Sequence, residues 1–397
     1  MAAAAQAPVA TVRGLGIAAF NLAWGGTEAD YARHAEVCGA PAVAWCESRA
    51  RTPRGASAPL AGEVERARAC QAAFQQAAGG PAAAQLVAPC NAYRMNEQRH
   101  AAHGPAAYAG KLEGLRQTID PLVTQHGIDV IAFQEVKSEA AIRAVLGRHA
   151  DAFDTCIAPH NAFQTLGFAW RRGLASSARC STEAALAVGD GTPEPGADPA
   201  AARRVRPGLA LRLEIGGTAL ALLNVHLKSG CANIVPTERF PAREVSDPDA
   251  ACLTLNRQVA PLEQWIERVA AETPLFAVLG DFNRRLDEEA ARAVPPGEVR
   301  TDGRPPASPH QPAADGRVTT RFLWPELADG QPELVLVPLT QSTGCTGFNG
   351  LDHVVLSGAL AARQTLPLQS VKWPVVQLPE PALQSSDHCP RGMRLQF

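Results

Sequence analysis

Four apolar runs in this chain stop abruptly on polar side chains, and that pattern narrows the available folds more than any other feature. "GLGIAAFN" closes on Asn21, "IDVIAFQE" on Gln134 and Glu135, "TALALLNVH" on Asn224 and His226, and "PLFAVLGDFN" on Asp281 and Asn283. Each run reads as a buried strand, a short apolar stretch bounded by turn signals. A carboxylate or carboxamide at the end of such a strand is costly unless a partner meets it. The ends of neighbouring strands converge at one edge of a sheet, a common place for binding and catalytic groups. Two later stretches, "GLDHVVLSG" and "SSDHCPRGMRLQF", add Asp352, Asp387 and His388. Singly, each residue has a plainer use as a cap, a turn former or a strand-end acid. Together they predict a site.

The remaining pattern is mixed α and β. Strands are expected at 165–172, 208–215 and 218–227, the last two joined by a Gly216-Gly217 hairpin turn. A helix is expected over 108–127, with Leu112, Leu115, Ile119 and Leu122 on one stripe closed by Gly127. A short one follows at 138–150 with Ser138 as its N-cap. A third covers 254–272, kinked or started by Pro261. Residues 27–107 carry four cysteines and no clear alternation, and read as a helical or irregular insertion. Residues 1–13 read as a flexible tail, and the Pro/Gly-rich 294–316 as a loop. A length of 397 residues allows two or three domains or one large one. The reading adopted is one domain over 1–397.

No apolar run approaches the roughly 18 residues of a membrane span, so no stable membrane association is expected. A formal charge of -2 means that any site for a polyanion is local. Of 37 basic residues only four are lysines, at 111, 137, 228 and 372. Lys137 and Lys228 each stand two residues beyond a strand-end polar group. Residues i and i+2 of a strand share a face, so both are candidates to meet flanking phosphates. The plainer alternative is two ordinary surface lysines. Arg284 and Arg285 carry the same suspicion.

The ten cysteines include no CxxC pair, which argues against a zinc ribbon or a thioredoxin-type site. Their spread suits disulfides in an oxidising compartment, periplasmic or secreted; ten reduced thiols in a cytosolic chain is the alternative. "MAAAAQAPVA" is not an intact signal peptide. Cys231–Cys252 is the favoured pair because it flanks the loop after the His226 strand. Cys38–Cys46, Cys70–Cys90 and Cys156–Cys180 are sequence-neighbour pairings, since spacing does not fix connectivity.

The polar groups suit phosphoester chemistry. Glu135 and Asp387 supply the carboxylate oxygens that a hard divalent cation takes, Mg²⁺ or Mn²⁺ with Ca²⁺ as a further option. His388, beside one acid and within reach of others, suits an oriented imidazole that binds phosphate. Asp281 is the candidate to hold and deprotonate a water, and Asn283 to hydrogen-bond a non-bridging oxygen. Asn21 and Asn224 join Lys137 and Lys228 as candidate substrate-binding groups.

At these residues the sequence resembles the endonuclease/exonuclease/phosphatase superfamily, the fold of deoxyribonuclease I. The stretches are "AAFN" (18–21), "FQEVKS" (133–138), "NVHLKSG" (224–230), "GDFN" (280–283), "LDHVVLS" (351–357) and "SDHCP" (386–390), in the family's order. The resemblance implies a four-layer α/β sandwich, two packed, mostly antiparallel sheets flanked by helices. It implies Glu135 as metal ligand with Asn21 nearby, Asp387 close to the metal, and Asp281 and Asn283 aligning water and phosphate. It further implies that Asp352 orients His388 and that His226 is a second imidazole. Ala23 stands where one repair branch has an acid. The family often fills the position of Cys389 with a small apolar residue, which implies a buried free thiol there.

Inositol-phosphate phosphatases share a GD-x-N-x-R run, yet their Trp/Cys/Asp/Arg segment is missing before Asp352. Sphingomyelinases share the two histidines but expose an aromatic hairpin, and aromatic content here is 5%. Abasic-site nucleases lack a histidine at the position of His226. A monomeric, metal-dependent nuclease acting on DNA or RNA is the reading that remains. A phosphatase, a sphingomyelinase-like phosphoesterase and an inactive binding module are the alternatives.

Overall fold

The computed structural model describes residues 14–43, 50, 60–90, 92, 104–190, 204–236, 241–292, 321–328, 332–342, 345 and 350–396. The expected tail at 1–13, the expected loop at 294–316 and Cys46 of one expected pair lie outside the described residues.

One sheet contains β1 (Gly14–Gly25), β2 (Val130–Val136), β3 (Phe153–Ile157), β4 (Thr165–Arg171), β10 (Leu339–Ser342), β12 (Ser370–Lys372) and β13 (Arg391–Gln396). The other contains β5 (Ser177–Glu183), β6 (Gly208–Ile215), β7 (Thr218–His226), β8 (Phe276–Asp281), β9 (Leu334–Leu336) and β11 (Asp352–Ser357). Their orders are β10-β12-β13-β1-β2-β4-β3 and β5-β6-β7-β8-β11-β9. Three pairings are parallel, β1 with β2, β7 with β8 and β10 with β12. The others are antiparallel, so both sheets are mixed and mostly antiparallel.

The period of two along each strand divides the core into layers. Leu15, Ile17 and Ala19 of β1 face Leu220, Leu222 and Leu279 of the opposite sheet in one apolar cluster. Ala18, Phe20 and Leu22 face outward and pack on α4 (Pro105–Thr124) through Leu112, Leu115 and Ile119. On the far side Leu223, Val225 and Val278 pack on α6 (Ala250–Glu272) through Leu255, Val259 and Leu262. Helix, sheet, sheet and helix give the four layers. Pro261 sits inside α6 rather than at its start. Ser138 caps α5 (Glu139–Leu146), its hydroxyl accepting from Ala141 N at 3.2 Å. Gly216 and Gly217 make the β6–β7 turn with φ of 59° and 81°, values that favour glycine. Where described, 27–107 is helical: α1 (Glu28–Gly39), α2 (Glu63–Ala78) and α3 (Pro81–Gln85). No helix among the described residues is long and apolar enough to cross a membrane.

Two of the expected disulfides are present, Cys231–Cys252 and Cys156–Cys180, the latter joining edge strands of the two sheets. Three cysteine expectations are corrected. Cys38 bonds Cys90, 52 residues on, in place of the sequence-neighbour pairs Cys38–Cys46 and Cys70–Cys90. Cys389 is no free thiol, because it bonds Cys345, 44 residues earlier. In both cases tertiary packing brings distant segments together, which neighbour spacing cannot register.

Candidate active site

The topology carries the predicted residues to one rim. β1 and β2 run parallel and carry Asn21 and Glu135 toward their C-terminal ends, while the antiparallel β13 begins just after Asp387 and His388. In the facing sheet β7 and β8 run parallel and end together, with His226 opposite Asp281. β11 starts there in the reverse sense, with Asp352 opposite Asp281.

Backbone strain aims these ends. Among the described residues the non-glycine positive φ values are at Ala23 (46°), Trp24 (69°), Glu135 (56°) and Asn283 (51°). All four lie where β1, β2 and β8 reach the rim. Each such residue costs free energy that the surrounding structure must offset. At Glu135 the β2 register shifts against both neighbouring strands, a bulge that turns its side chain toward the facing sheet.

Asn21 ties the two sheets together. Its Nδ2 donates to Asp281 Oδ2 at 3.1 Å and to Glu135 Oε1 at 3.4 Å, and its Oδ1 accepts from Ala23 N at 2.9 Å. Trp24 N donates to Glu135 Oε2 at 3.1 Å. Asp281 Oδ1 accepts from Asn283 N at 2.8 Å. Both hydrogens of the Asn283 carboxamide are directed inward, to Leu227 O and Asp281 Oδ2 at 3.1 Å each. Asn283 therefore orients Asp281. His388 Nδ1 lies 3.0 Å from Asp352 Oδ1, and its Nε2 faces Asp281 Oδ2 at 3.7 Å. His226 Nε2 stands 3.5 Å from Asp281 Oδ2 and 3.6 Å from Glu135 Oε1.

Burial and charge separate the protonation states. Burial alone would discharge His388, yet the carboxylates of Asp352 and Asp281 push it up to about 10. His226 goes the other way, driven well below its ordinary value by burial and by the charges of Arg206 and His388. Burial raises Asp281 to about 7 against the pull of His388. Burial works to raise Asp352 as well, but His388 and Lys372 hold it well below the usual carboxylate range. One imidazolium and one neutral imidazole thus face the same carboxylate, the division of labour that acid–base chemistry requires.

Glu135 and Asp387 are the candidate ligands for a divalent cation. Both are half-buried carboxylates. Burial first and the charge of Asp387 second push Glu135 up, a repulsion that a cation held by both would relieve. Asp281, Asp352 and His388 also offer ligand atoms within 4.8 Å of one another. Asp352 in that trio also carries a buried ion pair with Lys372 Nζ at 2.9 Å.

Four predicted groups are held by partners within the chain. Asn224 is fully buried beneath the rim, where its carboxamide clamps the sheets: Oδ1 accepts from Gln134 Nε2 at 2.7 Å, and Nδ2 donates to Phe133 O and Gly167 O at 2.9 Å. Lys137 Nζ donates to Leu86 O and Ala162 O at 3.0 Å, and Lys228 pairs with Asp190 at 2.9 Å. Arg284 is wholly buried against Glu289 and holds the carbonyl of Cys231, a structural role.

Residues that sequence reasoning missed do the supporting work. Lys372 pairs with Asp352, while buried Arg206 donates to the carbonyls of His226 and Leu227 at the end of β7. Lys111 is buried at the other side of the rim. Its signal was the helical stripe, which it shares with Leu115 at i+4, a place where an unpaired lysine is almost never found.

Strand ends that gather carboxylates around two imidazoles make a site for hydrolysing phosphoesters. The chain belongs to the Endonuclease/Exonuclease/phosphatase family, whose model matches residues 102–388. Members are phosphoester hydrolases, and the family's homologues depend on a metal. No curated protein matches the sequence. Among solved structures, a truncated Caenorhabditis elegans TDP2 is similar at 13% identity and TM-score 0.41, over 74% of this chain and 93% of that one. The 3′ phosphatase NExo from Neisseria, bound to a product DNA hairpin, is similar at 14% identity and TM-score 0.39, over 71% and 94%. The human Nocturnin catalytic domain with bound sulfate is similar at 14% identity and TM-score 0.38, over 71% and 86%.

Proposed function

We propose that the chain is a divalent-metal-dependent phosphodiesterase, a nuclease that hydrolyses DNA or RNA by attack of an activated water on phosphorus. The observation that carries the reading is Asp281, held by Asn21 and Asn283 between the imidazoles of His388 and His226. As a carboxylate, Asp281 takes a proton from water. His388, fixed by Asp352, presents an N–H to a phosphate oxygen. His226 is the partner near the leaving oxygen. Glu135 and Asp387 would hold Mg²⁺ or Mn²⁺, which when bound neutralises charge on the phosphate under attack. The described disulfides fit a periplasmic or secreted location.

The test is hydrolysis of supercoiled plasmid, linear DNA, RNA and sphingomyelin side by side, with and without EDTA. Cleavage of nucleic acid that stops in EDTA and returns with Mg²⁺ or Mn²⁺ supports the proposal. Cleavage of sphingomyelin alone favours the lipid phosphoesterase, and full activity in EDTA sinks the metal mechanism.

A further inference from the structure

We propose that Lys111 is a positioning residue: it pins the segment bearing Asp387 and His388 against β1, in a notch that Gly110 and Gly114 open on α4.

The ammonium of Lys111 is buried, and its three hydrogens point to three main-chain carbonyls. They reach Leu22 O at 2.9 Å, Gln384 O at 3.1 Å and Ser385 O at 2.5 Å. Leu22 follows Asn21 on β1, whereas Gln384 and Ser385 lead into Asp387. One side chain therefore joins the two backbones that carry the groups at this side of the rim. A buried cation satisfies three carbonyl oxygens at once, and a neutral amine has only two hydrogens to offer.

The helix is shaped for this contact. A Cβ on Gly110 would lie 2.5 Å from Ala382 Cβ, and one on Gly114 would lie 2.0 Å from Ser385 Oγ and 2.8 Å from Val376 O. Only glycine lets the 382–385 backbone lie this close to α4. Leu383 N donates to Ala107 O at 2.9 Å, one turn earlier on the same helix. Past the notch, Ser386 Oγ donates to Asn21 O at 2.7 Å and accepts from His388 N at 3.0 Å. The seat is continuous from α4 through Ser386 to His388. Burial lowers the Lys111 ammonium to about 7, and the negative charges of Asp387 and Glu135 act against that fall.

Lys111→Met keeps much of the stem and removes the charge. The rate arm of this test rests on the phosphodiesterase reading; the ion-binding arm does not. Freeing the segment displaces Asp387 and His388 together. Mn²⁺ affinity of the apo chain, read by calorimetry, should weaken by about 10-fold or more. The kcat should fall by about 10²-fold with KM little changed, and Lys111→Arg should recover part of both. If Lys111→Met does not fold, Gly114→Ala is read instead, with the same losses expected. Wild-type Mn²⁺ affinity and kcat in the folded variant overturn the proposal, and a fall in thermal midpoint alone makes Lys111 merely structural. A wild-type chain that cleaves no phosphodiester sinks the functional reading, and the Mn²⁺ comparison still decides the role of Lys111.

Discussion

Asn21 and Asp281 stand 260 residues apart on different sheets, and a 3.1 Å hydrogen bond from the Asn21 carboxamide to Asp281 Oδ2 closes the sandwich over the site. The same nitrogen reaches Glu135. Asn21→Ala removes the donor shared by both carboxylates and leaves Ala23 N without its acceptor. The kcat should fall roughly 10²-fold, the cost of a misplaced reacting group. Steady-state kinetics with a short phosphodiester measures it, and a variant as fast as wild type would refute the bridging role.

Asp352 is the next test, because a buried ion pair punishes the loss of one partner more than of both. Asp352→Asn removes the carboxylate that pairs with Lys372 and His388 in the interior, at a cost of roughly 3–5 kcal/mol. The double variant with Lys372→Met should melt higher in urea than Asp352→Asn alone. Additive losses would show that Lys372 has another counter-charge. Activity should not return in the double variant, since His388 still lacks its carboxylate, a loss of roughly 10²–10⁴ in rate.

The site was more legible than the fold's edges. Continuous apolar runs betrayed β1, β2, β7 and β8, and their polar ends taken together pointed to the rim, because a carboxylate at the end of a buried strand is costly without a partner. Edge strands such as β5, with its largely exposed "SARCSTE", carry no comparable alternation of burial and stayed hidden. The two lysines read as substrate contacts, Lys137 and Lys228, have partners within the chain, while Lys111 and Lys372 are buried beside the site. A single cation's partners lie wherever tertiary packing puts them, and no local pattern records that. The strain at Ala23, Trp24 and Glu135 was equally invisible, since none of these residues signals a positive φ.

The metal-free chain should show two separate effects of pH on stability. Asp281 is raised to about 7 in the fold. A carboxyl raised by folding favours the folded state while protonated, so its contribution is present below about 4 and lost as pH climbs to about 7. His388 is raised to about 10, so its contribution is full below about 6.5 and lost as pH rises through 10. Thermal midpoints in EDTA should fall over both windows. Asp281→Asn should flatten the acid window, and an unchanged slope there would refute the assignment.

The disulfides give the last test, because they divide into bonds near the chemistry and a bond away from it. Cys389 follows His388 directly and is tied to Cys345, in the stretch that leads into Asp352. That bond restrains the segment that carries His388. Cys156–Cys180 instead clips the edge strands β3 and β5. In the chain-entropy model each closure is worth roughly 3–4 kcal/mol, so removing either pair should lower the thermal midpoint. Only the double variant Cys345→Ala/Cys389→Ala should also lose kcat in the fully folded protein. Non-reducing peptide mapping should recover Cys38–Cys90, Cys156–Cys180, Cys231–Cys252 and Cys345–Cys389 as linked pairs. Free alkylation of Cys345 and Cys389 in the unreduced, active protein would separate that bond from function.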